Sequence, residues 1–536
     1  MRTGSFTAPL ARLAAGLRSS SRRVWWTSFV LAMSLSAAWA LSQPVFAGPD
    51  EPAHVVRAVA LAHGTLTGSE PRGRLPRPLR PVEDDARVVQ VPAIYGSVVV
   101  PCFTRNVDLL APCLRFTGPT RDADIVTYKA LQPPAYHGVV GAASWLFSPG
   151  TAVVYLMRLL SAVITGALLA TAITALGRAN TARLLAVGVV LAVTPMVLFL
   201  GGVVNPAGPE VAAAVAFWVC GLVLVSRSAE RVENVLVTGA GVAGVVLALS
   251  RPLGPVWVVL VALTVLAVSS RTAIENLARS GRVRVWAALV AVAVAVQVIW
   301  DVAVRQHEAT LVGRTTGNVS TLSQVQDSLG ATYDRYREMI GWFGWRQTLA
   351  PTLSWVPWTV ALGFLFLVAL AWVARRHALV LLALLAAVIV IPIVVDATPY
   401  VPGGATSPGT STLPLAVGIP ILAAFSLAAT ERRRDLLDSR FVLAVGIVAA
   451  VAQFLAFADN LRRYTVGGTR DLLFFLHLHT QWQPPVPAVL LTVGYAALVV
   501  AFVAWLLAWR GPNGGAPLVA GAQSSVTAAP TGAASL

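Results

Sequence analysis

The chain has 536 residues, of which 56% are hydrophobic and only 12% charged, and it carries a formal net charge of +16. A soluble domain holds about 25% charged residues, so this composition, with a mean hydropathy of +0.72, excludes an ordinary soluble protein and describes a polytopic membrane protein. The cations sit at span ends and in loops rather than in one basic patch, which argues against nucleic acid as a partner.

In chain order, Met1 to Arg23 is polar with five arginines, and an apolar run follows from Val24 to Phe46. That run exceeds a signal-peptide core of roughly 7 to 15 residues and reads as a retained first span. Directly after it stands Gly48-Pro49-Asp50-Glu51-Pro52-Ala53-His54-Val55-Val56-Arg57. Asp50 is a natural N-cap and Pro52 suits a first turn, so the pattern predicts a helix from Glu51 to about His63, stopped by Gly64. Asp50, Glu51, His54 and Arg57 then share one face. Two adjacent carboxylates can take a hydroxyl proton or hold a divalent cation, and a histidine and arginine beside them can receive a phosphate. The same residues would also serve as a capped interfacial helix with a solvated face.

Residues 47–132 form a Pro- and Arg-rich loop too long for a simple connection, predicted to be a small extramembrane element. Cys102 and Cys113 lie in it with ten residues between them. On an oxidising side they can form a disulfide, the alternative being two free thiols. The stretch from Pro133 to Phe147 falls short of the roughly 20 residues needed to span and is read as re-entrant or interfacial. Its Tyr136 and His137 either shape a groove or anchor at the interface.

Eleven longer apolar runs follow between Ala152 and Trp509, giving about twelve spans with the first. The arginine-rich short loops then fall on the same side as the basic N-terminus, which makes that side cytoplasmic and places both termini there. The loop at 47–132 and a second large loop at 305–355 face outward, and the Gly/Ala/Pro-rich tail at 510–536 is predicted to be disordered. Arg158 lies inside a span, Arg251 at an outward hairpin, and Glu210 follows Asn205-Pro206. An arginine within a span is expensive and is usually paired or functional, so each of these is either a phosphate ligand or half of an ion pair. No Walker loop, zinc-type Cys/His spacing or nucleophile elbow is present, which argues against an ATP-driven pump and a serine hydrolase.

Several short motifs in a fixed order carry a resemblance. They are Pro49-Asp50-Glu51 with His54 and Arg57, Leu131-Gln-Pro-Pro-Ala-Tyr136, Arg158-Leu-Leu, Val204-Asn205-Pro206, Ser250-Arg251-Pro252-Leu-Gly254 and Gly341-Trp-Phe-Gly344-Trp345. Leu461-Arg-Arg-Tyr464 and Trp482-Gln-Pro-Pro485 continue the series. From about Val24 to Trp509 the chain resembles the actinobacterial membrane proteins of domain-of-unknown-function family 2142, whose layout is similar to the C-type glycosyltransferases. The resemblance implies an all-α, multispanning bundle (residues 24–509) in the bacterial cytoplasmic membrane. It also implies transfer of a sugar from a polyprenyl-phosphate donor to an envelope glycan or lipid acceptor outside. In that reading Asp50 and Glu51 are catalytic, His54, Arg57, Tyr136, Arg158, Glu210 and Arg251 bind substrate, and a divalent cation is the one cofactor to consider. The chain departs from the pattern at Gly409-Thr410-Ser411-Thr412, where relatives tend to carry an Arg-Tyr pair. Two other readings stand beside it: a transporter or flippase of lipid-linked sugars or polysaccharide, and a noncatalytic envelope-assembly protein.

Overall fold

The computed structural model describes residues 18, 20–72, 75, 86–104, 106, 108–179, 182–309, 320–398, 406–430, 439–467 and 482–508. The expectations for residues 1–17 and for the tail at 510–536 lie outside the described residues, as does part of the loop at 305–355.

Helix α1 (Ser21–Leu41) starts where Ser20 caps it, the side chain accepting from the Arg23 amide. The predicted helix after the first span is α2 (Glu51–Ala62), and Gly64 follows in the left-handed region at φ +88°. The stretch beginning at Pro133 makes only the short helix α3 (Pro134–Gly141) and a single further turn, so it does not span. Helix α4 (Thr151–Leu176) then crosses in 26 residues and carries Arg158 into the interior.

Eight helices among the described residues are long and apolar enough to cross a bilayer. A bent pair, Ala182–Ala192 and Pro195–Gly201, turned through 68°, adds a ninth if it is taken as one span. The other three of the twelve expected spans coincide with shorter apolar helices, Asn234–Ser250, Gly254–Ala267 and Leu413–Ala428. At 1.5 Å per residue these reach about 20 to 25 Å, less than a hydrocarbon core of roughly 30 Å. Length and composition therefore support eight or nine spans.

The chain is mostly helical, as expected, and the first loop adds an antiparallel pair, β1 (Arg87–Pro92) with β2 (Asp122–Thr127). Arg87 sits opposite Thr127 and Pro92 opposite Asp122. Valines 88, 89, 91 and 126 and Ile125 supply the β-branched side chains that favour such a pair. A second, two-residue pair joins β3 (Trp342–Phe343) to β4 (Thr348–Leu349). The Cys102–Cys113 disulfide closes a small loop beside these elements. Arg463, 2% exposed, donates to the carbonyls of Phe103, Asn106 and Leu109 in that loop, so it ties the loop down instead of reaching lipid headgroups.

Beneath the loop lies an aromatic floor. Trp39 is fully buried against Phe199, Phe343 and Phe457, and its indole donates to the Tyr495 hydroxyl at 2.9 Å. Tyr495 stacks on Phe457 and passes its hydrogen to Gln453, whose amide donates to the Val193 carbonyl. The run from Trp39 through Tyr495 and Gln453 to the Val193 carbonyl thus gives each of these buried side chains a partner, as a low-dielectric interior favours.

Gly202 lets the bent pair approach α1. A Cβ added there would lie 2.5 Å from the Ser36 carbonyl oxygen and 2.8 Å from the Ala40 amide, both rigid backbone. Gly202→Ala is expected to destabilise by about 1 to 3 kcal/mol, the usual range for overpacking a tight contact. A lowered midpoint of thermal unfolding in detergent would record it, and an unchanged midpoint would show that these elements can separate freely.

Candidate active site

Glu51 and Arg158 form the buried frame of the site, and neither is exposed at all. The Arg158 Nε and Nη2 groups donate to Glu51 Oε1 and Oε2 at 2.7 and 2.6 Å. Nη1 donates to the carbonyls of Ala40 and Gln43, each at 3.0 Å, and Nη2 also to that of Pro44 at 2.8 Å. All five guanidinium hydrogens are thereby used. Glu51 accepts two more hydrogens, from the amides of Gly48 and Val204. Of the two roles open to Arg158, the geometry is that of an ion pair, with no donor left for a phosphate. Glu51 is equally saturated, so the expected catalytic use of its carboxylate meets a group with no access to substrate.

Asp50, its sequence neighbour, faces a different environment. Its backbone is left-handed at φ +57°, a conformation aspartate tolerates better than most residues. It stands at the N-cap position, but its side chain makes no capping hydrogen bond. Instead Oδ1 accepts from the Tyr128 hydroxyl at 2.9 Å and Oδ2 pairs with Lys129 Nζ at 3.0 Å. The carboxylate keeps 37% exposure. Partial burial pushes its pKa up, but Lys129, the Tyr128 hydrogen bond and the more distant Arg251 outweigh that and hold it below the ordinary carboxylate value. Burial and the adjacent Asp50 charge push the Tyr128 hydroxyl far upward, so it stays a donor.

Lys129 and Tyr128 were not singled out by their motif, yet a signal was present. Among 40 basic residues Lys129 is the only lysine, and it is the one placed on Asp50. The end of β2 sets its position, because the Thr127 hydroxyl donates to the Ala53 carbonyl of α2 and accepts from the Lys129 amide. Asn205, part of the Val204-Asn205-Pro206 motif, gains a specific role from the fold. Its side-chain amide donates to the Pro49 carbonyl at 3.1 Å and its oxygen accepts from the Ala207 amide, which fixes the turn before Asp50.

Arg251 pairs with the buried Glu210 at 3.1 Å and reaches Ser411 Oγ at 3.5 Å. It is still 25% exposed. Ser411 belongs to the Gly409-Thr410-Ser411-Thr412 segment, so that segment lies against this cation. His54 is 4% exposed and His137 is fully buried, and their rings meet through His54 Nδ1 and His137 Nε2 at 2.9 Å. Arg57 is fully buried and donates to the carbonyls of Leu66 and Gln132, which pins the chain leading to α3. Tyr136 is buried with its hydroxyl 2.6 Å from Ser161 Oγ, which makes it a packing residue and not an interfacial anchor. Trp345 donates to the Phe46 carbonyl, giving it a structural use beside the site.

The structure thus brings Asp50, His54, Glu210 and Arg251 of the expected residues to one region with Tyr128, Lys129 and Ser411. It assigns Glu51, Arg57, Tyr136 and Arg158 to the frame around them. The two adjacent carboxylates have different partners, and among the described residues no group of three or more His, Cys, Asp or Glu side chains is arranged to hold a metal.

Arg158→Ala leaves Glu51 buried without its counter-charge and is expected to destabilise by about 3 to 5 kcal/mol. Asp50→Asn removes only a partly exposed charge and is expected to change stability by less than about 1 kcal/mol. Thermal unfolding of the two purified variants checks the contrast, and equal midpoints would overturn the division between frame and site.

The profile of the family described as "Predicted membrane protein (DUF2142)" matches residues 33–399. Curated proteins give no match. Among solved structures the chain is similar to ArnT from Cupriavidus metallidurans, crystallised with undecaprenyl phosphate, at 15% identity and a TM-score of 0.43, over 90% of this chain and 75% of that one. Because the family profile covers well over half of its length, the chain belongs to the DUF2142 family of membrane proteins.

Proposed function

We propose that this protein transfers a sugar from a polyprenyl-phosphate donor to an envelope glycan or lipid acceptor on the outer side of the bacterial cytoplasmic membrane. The observation that carries the reading is the partly exposed Asp50 carboxylate held between Tyr128 and Lys129, with the second cation, Arg251, acting on it. Asp50 takes the proton of the acceptor hydroxyl as that oxygen bonds to the anomeric carbon. The bond from that carbon to the phosphate oxygen breaks with inversion, and the polyprenyl phosphate leaves with the electron pair. Lys129 and Arg251 receive its charge.

A lysine suits this position better than an arginine would. Its ammonium is a point charge on a flexible stem, able to turn from Asp50 to an arriving phosphate, whereas a guanidinium fork stays with its carboxylate. When Lys129 turns away, Asp50 loses the partner that depresses its basicity and becomes the stronger base for the step that follows.

An apolar cavity of about 360 Å³ supports a lipid-linked donor. Leu191, Ile340, Leu362, Gly363, Phe366 and Val388 are among its lining residues. Two of its lining residues, Leu413 and Ala416, follow closely in sequence on Ser411, which contacts Arg251. One observation favours a transporter instead. The bent pair at Thr194 is a broken crossing of the kind that carries substrate in transporters, although those folds typically break two crossings in related positions.

Membranes containing the wild type or Asp50→Asn are given radiolabelled polyprenyl-phosphate sugars and transfer to endogenous acceptors is counted. Loss of a general base is expected to lower transfer about 10² to 10⁴ fold. No transfer by the wild type, together with redistribution of the lipid-linked sugar across the bilayer, would replace the transferase reading with transport. Lys129→Ala leaves burial as the main influence on Asp50, so its pKa rises and the acid limb of the pH–rate profile moves to higher pH. Lys129→Arg keeps the limb low. No atom lies within 4 Å of a Cβ added at Gly363, so Gly363→Leu is expected to fold, fill part of the cavity and raise KM for long-chain donors more than for short ones.

A further inference from the structure

The proposed chemistry makes no use of the buried histidine pair one helical turn from Asp50. His137 Nδ1 lies 3.1 Å from the Pro133 carbonyl oxygen. A carbonyl only accepts, so Nδ1 of His137 carries the hydrogen, and in the neutral ring Nε2 is then an acceptor. The 2.9 Å contact to His54 Nδ1 is therefore donated by His54. His54 is left with its lone pair on Nε2, the nitrogen on the far side of the ring from His137. Among the described residues that nitrogen has no hydrogen-bond partner.

The opposite assignment requires His137 to donate from both nitrogens and so to be a cation. It is fully buried, with Arg57 and Lys129 the charges acting on it and no carboxylate to compensate. Burial and those cations hold it down at about 3. His54 is lowered too, first by burial, then by His137, Lys129 and Arg251. Lys129 and Arg251 are the two cations already placed at Asp50, and His54 stands in the first turn of α2 with its amide donating to the Asp50 carbonyl at 3.1 Å.

Resting on the transferase reading of that cluster, we infer that His137 is a positioning residue that fixes His54 as an uncharged acceptor, whose Nε2 receives a hydroxyl hydrogen of the sugar or acceptor held beside Asp50, Lys129 and Arg251. The Pro133 carbonyl selects the tautomer, and the relay through two rings carries that choice to the site. A hydroxyl suits this acceptor because it brings a hydrogen without a charge between two cations. An ammonium donor would be repelled by the same cations, and a bare phosphate at neutral pH has little hydrogen to give.

The experiment uses the full chain in lipid nanodiscs, labelled with ¹⁵N-histidine, with His54→Gln and His137→Gln assigning the two resonance sets among seven histidines. Between pH 8 and pH 5 both rings are expected as the neutral Nδ1–H tautomer, the rarer form in solution. Either ring as an Nε2–H tautomer or an imidazolium in that range would overturn the relay. If the variants fail to fold, two Nδ1–H rings in the wild-type spectrum remain diagnostic, and their absence is decisive against it. Polyprenyl-phosphate-linked sugar is then expected to move the His54 Nε2 resonance, while the same polyprenyl phosphate without sugar leaves it in place. Transfer by the wild type with an unmoved resonance overturns the inference and leaves the transferase reading intact. A moved resonance without transfer upholds the hydroxyl contact and overturns the transferase.

Discussion

The Glu51–Arg158 pair is the constraint on which the rest of this protein depends. An arginine inside a membrane-crossing helix is tolerated only when its charge and its hydrogens are answered, and here one carboxylate and three carbonyls answer all five. Because those carbonyls belong to the end of α1 and the turn after it, the pair locks α4 to the chain just before the site. Because Glu51 also accepts from Val204, the lock extends to the segment after the bent pair. The arrangement draws four separate stretches of sequence to one point.

Its second effect is to separate two carboxylates that are adjacent in sequence. Glu51 turns inward to the frame, and the left-handed backbone at Asp50 turns the preceding carboxylate to Tyr128 and Lys129. One is saturated and fully buried. The other is partly exposed, accepting from Tyr128 and paired with Lys129. Such a difference between neighbours is what allows one residue to anchor a site while the next stays free to react.

The layers around Asp50 follow the same logic of satisfied burial. Arg57 and Thr127 spend their hydrogens on backbone carbonyls that fix the approach of the β pair and of α3, and the histidine relay ends on the Pro133 carbonyl. Arg251 is the exception, since it pairs with Glu210 yet keeps a quarter of its surface open. The partly exposed cations of the site are thus Lys129 and Arg251, each paired with one carboxylate and standing far apart in the chain.

Much of the local structure was legible in the sequence because it is dictated locally. Pro52 and Gly64 mark the ends of α2 through backbone preferences, although Asp50 does not cap it with its side chain, and the shortness of the stretch after Pro133 precluded a crossing. The apolar runs fall on helices because a bilayer leaves the backbone no other partner. The motif order also gave the family. What it left open was the choice between ligand and ion pair for each charged residue, and the tertiary structure made that choice. Arg158 and Arg251 look alike in sequence, but one is enclosed by carbonyls from the first span and the other lies at an open hairpin. Asp50 and Glu51 have the same chemistry, and only the direction of the chain at Asp50 tells them apart. Lys129 was visible as the single lysine, but its partner lies 79 positions away and was brought to it by the pairing of β1 with β2. Local preference fixes where a helix begins and ends. Desolvation fixes which charges must pair, and that depends on neighbours the sequence does not place side by side.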